Sequence, residues 1–137
     1  MKAALRSFAG ALALALAFPL FAATLPQPKT EHGVTYLSGG IGRDEASAMK
    51  AEAKSYPLSL VFSAGKKAEY VAGVSVDVKD RAGKAMLDAV SDGPIMLIKV
   101  PAGKYRIVAT RHGKALQRMV LVKAKGDRQV SFHWPKA

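Results

Sequence analysis

The residues that could do chemistry are few in this chain and are scattered along it. The three histidines, His32, His112 and His133, lie far apart and share none of the spacings typical of metal ligands. No serine lies in the strand–turn–helix context of a nucleophile elbow, so the sequence marks no Ser/His/Asp triad. The chain has no cysteine, which excludes disulfides and thiolate metal sites. We therefore predict no catalytic, cofactor-binding or metal-binding residue, and we expect that the protein is not an enzyme.

The carboxylates and the glycine-rich loop give only weak signals of a binding site. Asp77, Asp80, Asp88 and Asp92 lie near predicted strand ends and turns, where Asp commonly accepts hydrogen bonds from backbone N–H groups. A calcium site built from these loops is an alternative, although the D-x-D-x-D-G pattern is absent. The glycines of residues 39–42 precede a predicted helix but lack the G-x-x-x-x-G-K-[ST] pattern of a phosphate-binding loop.

Residues 1–23 have the pattern of a secretory signal peptide. Lys2 and Arg6 form a positive n-region, and an Ala/Leu-rich stretch over Phe8–Phe18 precedes small residues at a cleavage site. The apolar stretch is short for a membrane anchor, which needs about 20 apolar residues, and Pro19 interrupts it. We predict cleavage after residue 23 and a periplasmic or secreted protein that is not transmembrane; an uncleaved anchor is the alternative.

Positive charge is concentrated in the last third of the chain. Residues 24–98 carry nine Lys/Arg and nine Asp/Glu, whereas residues 99–137 carry ten Lys/Arg and a single acid, Asp127. Such charge usually suggests nucleic acid, but an exported protein meets lipids and polysaccharides instead, so we expect no nucleic acid. For these charges we favour a solvated cationic surface without a partner, and contact with envelope lipids or polysaccharides is the alternative.

The mature chain is predicted to be one β-domain over residues 34–137, after a flexible lead-in at residues 24–33. Alternating apolar residues and turn signals predict strands over residues 34–37, 58–63, 70–79, 84–88, 95–100, 104–111, 115–123 and up to Trp134. Apolar residues at helical spacing predict one helix over residues 43–56, ended by Pro57. The pattern indicates an all-β fold: a single antiparallel β-sandwich of about seven strands, with one short helix near the N-terminus of the mature chain.

One segment of the chain resembles a known family. Pro101-Ala102-Gly103-Lys104-Tyr105-Arg106-Ile107-Val108-Ala109 resembles the Pro-x-Gly-x-Tyr-x-Val-x-Ala signature of carboxypeptidase regulatory-like domains. Residues 87–94 and 132–134 resemble a group of exported bacterial proteins with that domain. The resemblance covers about residues 58–134 and implies a transthyretin-like β-sandwich. It also implies an accessory module, so no catalytic residue is carried over.

The predicted turn at His112-Gly113 decides which side chains share a face of the last hairpin. A two-residue turn there pairs Ile107 with Arg118, which places Arg118 among apolar side chains. An inward charge on an edge strand discourages edge-to-edge aggregation, and that is our interpretation of Arg118. A recessed anion site is the alternative.

The same register pairs Lys104 with Leu121 and Arg106 with Met119 on the opposite face of the hairpin. Cations beside apolar side chains suit an anionic, partly apolar surface such as a lipid headgroup layer. They would equally suit a second protein. We expect the acid-bearing helix over residues 43–56 to cover this face.

These observations predict an exported, non-enzymatic binding or structural module of the bacterial cell envelope. Its partner would be an envelope protein or an anionic envelope surface, and we predict no cofactor. An accessory or inhibitor-like subunit that contacts another exported protein through a sheet edge is the alternative. A small hydrolase is a third hypothesis, against which the lack of clustered histidines argues. The candidate contact residues are Lys104, Arg106, Arg118, Met119 and Leu121.

Export with removal of residues 1–23 is testable by intact mass spectrometry of the protein from a periplasmic or secreted fraction. We expect the mass of a chain that begins at Thr24. A mass that still includes Met1 to Phe21 would show that this segment is retained.

Overall fold

A computed structural model describes residues 25–137, so the predicted signal peptide and Thr24 lie outside the described residues. The strands and the helix are β1 (Lys29–Glu31), β2 (Val34–Gly39), α1 (Arg43–Glu52), β3 (Leu58–Ala64), β4 (Glu69–Tyr70), β5 (Ser75–Asp80), β6 (Ala85–Val90), β7 (Ile95–Lys99), β8 (Gly103–Arg111), β9 (Lys114–Val122) and β10 (Arg128–Trp134). A short 3₁₀ turn, Ala53–Ser55, continues α1. Within residues 25–137, no helix has the length and apolarity needed to cross a membrane.

The strands form two sheets that enclose one apolar core. Sheet A has the order β1-β2-β7-β3-β10, with β4 beside β3, and sheet B has the order β6-β5-β8-β9. Phe62, Phe132 and Trp134 of sheet A pack with Tyr105 and Ile107 of sheet B in this core. The three sheet A rings have centroids 6.0–6.4 Å apart. The prediction of an all-β sandwich with one short helix is confirmed.

The number of strands and one strand pairing differ from the sequence prediction. Ten strands are present among residues 25–137, because the sequence pattern did not mark β1 and joined β4 and β5 in one predicted strand. Strand β10 pairs with β3 in a parallel orientation, with Phe132 opposite Phe62. The chain leaves β9 in sheet B and enters β10 in sheet A, so this last connection crosses between sheets instead of forming a hairpin.

The predicted strand over residues 70–79 is two strands in different sheets. Strand β4 pairs with β3 in sheet A, whereas β5 pairs with β6 and β8 in sheet B. Gly73 has a φ of 72° at the change of direction between them, a conformation that glycine adopts without steric cost. The hydroxyl oxygen of Ser91 accepts a hydrogen bond from the Val74 N–H at 3.0 Å and fixes the crossing.

The predicted lead-in at residues 24–33 contains β1 and is attached to both sheets. Strand β1 pairs with β2, and the Lys29 ammonium lies 2.8 Å from the Asp92 carboxylate. This carboxylate raises the pKa of Lys29 by accepting its hydrogen bond. The Glu31 carboxylate accepts a hydrogen bond from the Asp88 N–H of β6 at 3.0 Å. This edge of the sandwich is therefore closed by polar contacts that the sequence pattern did not reveal.

Helix α1 packs on the outer face of sheet A. Met49 and Tyr56 form a second apolar cluster with Leu37, Ile95 and Leu97. The Lys99 ammonium lies 5.2 Å from the centre of the Tyr56 ring.

Two turns that the sequence marked have different physical causes. His112 and Gly113 both have positive φ, 49° and 75°, as a two-residue hairpin turn requires. Gly93 is needed because a Cβ there would overlap the backbone of Gly39, and positive φ is not involved.

Tyr105 connects the turn before β8 to the core. Its side chain is 4% exposed beside Ile107, and its hydroxyl donates a 2.6 Å hydrogen bond to the Pro101 carbonyl. Burial, with a smaller effect from Asp80, raises the pKa of Tyr105 above its usual 10.0.

Tyr105→Ala should lower the free energy of unfolding by about 3–5 kcal/mol, because it removes a large buried aromatic side chain. Tyr105→Phe keeps the ring and should cost about 1 kcal/mol, the contribution of one hydrogen bond. Urea denaturation followed by circular dichroism measures both. A loss under about 1 kcal/mol for Tyr105→Ala would contradict the burial of this ring.

Candidate functional site

The outer face of sheet B carries four of the five candidate contact residues, and Arg118 lies on the other face. Lys104 lies opposite Leu121 and Arg106 lies opposite Met119, as the predicted two-residue turn requires. We call these four residues the cationic–apolar surface. Because side chains alternate along each strand, burial of Tyr105 and Ile107 on β8 forces Lys104 and Arg106 outward.

The cationic–apolar surface is uncovered in the part of the chain that the structure describes. Met119 is 64% exposed and Leu121 is 50% exposed, and both cations are exposed as well. The expectation that the helix covers this face is wrong, since α1 contacts β2 and β7 of sheet A. Helix α1 packs on sheet A because it buries Leu37, Ile95 and Leu97 there. The free energy gained from this burial exceeds that of an attraction between surface charges.

The charge of the cationic–apolar surface is not neutralised by neighbouring acids. Within residues 25–137, none of the ten Lys/Arg from Lys99 onward forms an ion pair within 4.0 Å. The acids of this face lie on the other half of the sheet, where Asp77 and Asp88 are cross-strand neighbours on β5 and β6. The outer face of sheet B thus has a cationic half, on β8 and β9, and a mixed half, where Lys79 lies 3.8 Å from the Asp77 carboxylate and Asp88 adds a second acid.

Arg118 lies on the opposite face of β9 from the cationic–apolar surface. It pairs with Ile107 on the core side, yet it is exposed because β9 is the edge of sheet B. Its guanidinium lies 5.4 Å from the centre of the Phe132 ring and donates a 3.1 Å hydrogen bond to the Gln117 carbonyl. The aliphatic part of the side chain therefore covers the side of the sandwich between β9 and β10, and the charged guanidinium stays in contact with solvent.

The other candidate groups are engaged in ordinary contacts. The Asp80 carboxylate accepts hydrogen bonds from the N–H groups of Ala82 and Lys84, both at 2.9 Å. The Glu45 carboxylate accepts hydrogen bonds from Gly40 and Ile41 at 2.7 and 3.4 Å. These two N–H groups of the glycine-rich loop therefore donate to Glu45 of the following helix, which leaves them unavailable to a phosphate.

The histidines do not come together. His112 lies in the β8–β9 turn and His32 in the β1–β2 turn. His133 lies on the outer face of sheet A, where its Nδ1 is 3.1 Å from the Ser63 hydroxyl. Among residues 25–137, no three His, Asp or Glu side chains are grouped to hold a metal ion.

Sequence reasoning missed a cleft next to the cationic–apolar surface. The cleft has a volume of about 280 Å³ and is lined by Pro57, Leu121, Lys123, Lys125, Gly126, Asp127 and Arg128. We call it the β9–β10 cleft. The sequence does show three cations around Gly126, directly after Leu121. That they converge on one cleft depends on the crossing of the chain from sheet B to sheet A, which the sequence pattern did not predict.

Arg118→Leu should increase self-association, because it removes the inward charge from an edge strand and leaves an apolar side chain. Arg118→Lys keeps the charge and should associate no more than the wild-type protein in the same conditions. Analytical ultracentrifugation over a concentration series measures both. Unchanged association of Arg118→Leu, together with lost binding of an anionic ligand, would instead assign a recessed anion site to Arg118.

Comparison of the sequence with protein-family models finds no match, and comparison with curated proteins finds none either.

Proposed function

We propose that this protein is an exported, non-enzymatic binding module of the bacterial cell envelope that contacts an anionic partner through the cationic–apolar surface. Periplasmic or secreted localisation rests on the signal-peptide pattern of residues 1–23. One structural observation carries the binding role: Met119 and Leu121 remain exposed beside Lys104 and Arg106, which form no ion pair with an acid within residues 25–137.

Exposed apolar side chains next to charges are a common feature of interaction sites. Lys104 and Arg106 attract an anionic partner over several ångströms, and Met119 and Leu121 can then gain free energy by leaving water. On the other half of the sheet, Asp88 repels an anionic partner, while Asp77 is paired with Lys79 at 3.8 Å. The unpaired cations therefore favour contact along β8 and β9.

The assignment to carboxypeptidase regulatory-like, transthyretin-like domains is part of this proposal. It is supported by the position of the Pro101–Ala109 segment, which forms the turn and most of β8 in a two-sheet fold. The motif tyrosine is buried and its hydroxyl binds the carbonyl of the motif proline. These roles explain the residue types of the motif by stability alone, which is consistent with an accessory module.

An accessory or inhibitor-like subunit is the second candidate, and the edge of sheet B favours it. Strand β9 has nine residues and pairs only with β8 within the described chain. Its outer backbone edge can accept a strand from another exported protein, a recognition mode that uses main-chain hydrogen bonds.

The double substitution Lys104→Glu with Arg106→Glu should abolish binding to vesicles that contain anionic phospholipid. Both side chains are exposed on a strand, so the change reverses the charge of the surface without removing core contacts. Vesicle co-sedimentation measures binding, and the wild-type protein should bind less as salt rises, because exposed charges are screened over about 8 Å at physiological ionic strength.

Lys66→Glu with Lys67→Glu is the matched control, because it makes the same charge change in the exposed loop after β3. It should retain most of the binding. Binding that persists in high salt, or that the two double variants lose equally, would exclude the cationic–apolar surface as the contact site.

A further inference from the structure

The β9–β10 cleft extends the cationic–apolar surface around the end of β9. Leu121 belongs to both, because its side chain lies opposite Lys104 and also lines the cleft. Beyond Leu121, the cations Lys123, Lys125 and Arg128 converge on the cleft, with Asp127 as its one acid. Within residues 25–137, none of these four charged side chains forms an ion pair.

A neighbouring cleft enlarges this positive end of the molecule. It has a volume of about 460 Å³ and shares Pro57, Lys123 and Gly126 with the β9–β10 cleft. Lys54, which follows α1, adds a further cation to its lining. The loops at this end of the sandwich thus present cations from two parts of the chain, residues 54–57 and residues 123–128.

From this arrangement we infer that the partner is the surface of an anionic phospholipid bilayer, with headgroups held in the β9–β10 cleft and Leu121 and Met119 in contact with the acyl region. The inference rests on the proposed function and names the partner class for the same site. Charge alone would suit any polyanion. The position of Leu121 at the mouth of a cationic cleft favours a partner that places anionic groups directly above an apolar layer.

The distribution of charge on sheet B sets the orientation on the bilayer. Asp77 is paired with Lys79, and Asp88 would be repelled by anionic headgroups, so the unpaired cations of the β9 edge and the β9–β10 loop make the contact.

The test compares binding of the wild-type protein to equimolar phosphatidylglycerol–phosphatidylcholine vesicles with its binding to dextran sulfate, a polyanion without an apolar layer. Lys125→Gln with Arg128→Gln should weaken vesicle binding about 25-fold, since each cation near an anionic leaflet contributes about fivefold. Leu121→Ser should weaken vesicle binding about tenfold, through loss of apolar contact, and leave dextran sulfate binding unchanged.

Val90→Ser is the control for Leu121→Ser, because Val90 is 60% exposed on β6, at the other edge of sheet B. It should leave vesicle binding unchanged. If Leu121→Ser binds vesicles as well as the wild-type protein, or if Lys125→Gln with Arg128→Gln loses no more than Lys66→Gln with Lys67→Gln, the bilayer inference is overturned.

The outcomes separate this inference from the proposed function. Wild-type binding to dextran sulfate that Lys104→Glu with Arg106→Glu abolishes, without vesicle binding, would retain an anionic partner and overturn the bilayer. Absence of binding to both probes would overturn the proposed function together with the inference.

Discussion

The register of the β8–β9 hairpin is the constraint on which the rest of this structure depends. His112 and Gly113 adopt positive φ in a two-residue turn, and the nine residue pairs of the hairpin follow from it. Because side chains alternate between faces, a slip of one residue would turn Lys104 and Arg106 toward the core and Tyr105 toward water. Burial of Tyr105, and of Ile107 at 0% exposure, opposes that slip. The same interaction that closes the core therefore assembles the cationic–apolar surface.

The helix and the basic residues are separated by the sandwich itself. Helix α1 covers the outer face of sheet A, where Leu37, Ile95 and Leu97 need an apolar cover. On the corresponding face of sheet B, the exposed large apolar residues are Val90 at one edge and Met119 and Leu121 at the other. This division leaves the cations of β8 and β9 free of the acids of α1. Within residues 25–137, the outer face of sheet A carries α1 and that of sheet B is uncovered, which is the basis of the proposed binding role.

Sequence patterns predicted the features that depend on near neighbours. The turn at His112-Gly113 identified the register of the β8–β9 hairpin. Features that depend on distant partners were not predictable in this way. Nothing local shows that the chain changes sheets at Gly73, or that β10 runs parallel to β3. The surface residues of β8 and β9 were found because pairing within a hairpin is local, whereas the β9–β10 cleft was missed because Pro57 joins it from another part of the fold.

The central claim is that the β8–β9 face, and not the rest of the sandwich, meets the anionic partner. The chain has no cysteine, so a polarity-sensitive fluorophore can be attached at a single introduced thiol, either Met119→Cys or Ser131→Cys. Ser131 is exposed on β10 of sheet A and serves as the reference position. With vesicles that contain phosphatidylglycerol, we expect a blue shift of the fluorophore emission at position 119 and none at position 131. An equal shift at both positions, or a shift at position 131 alone, would contradict the central claim.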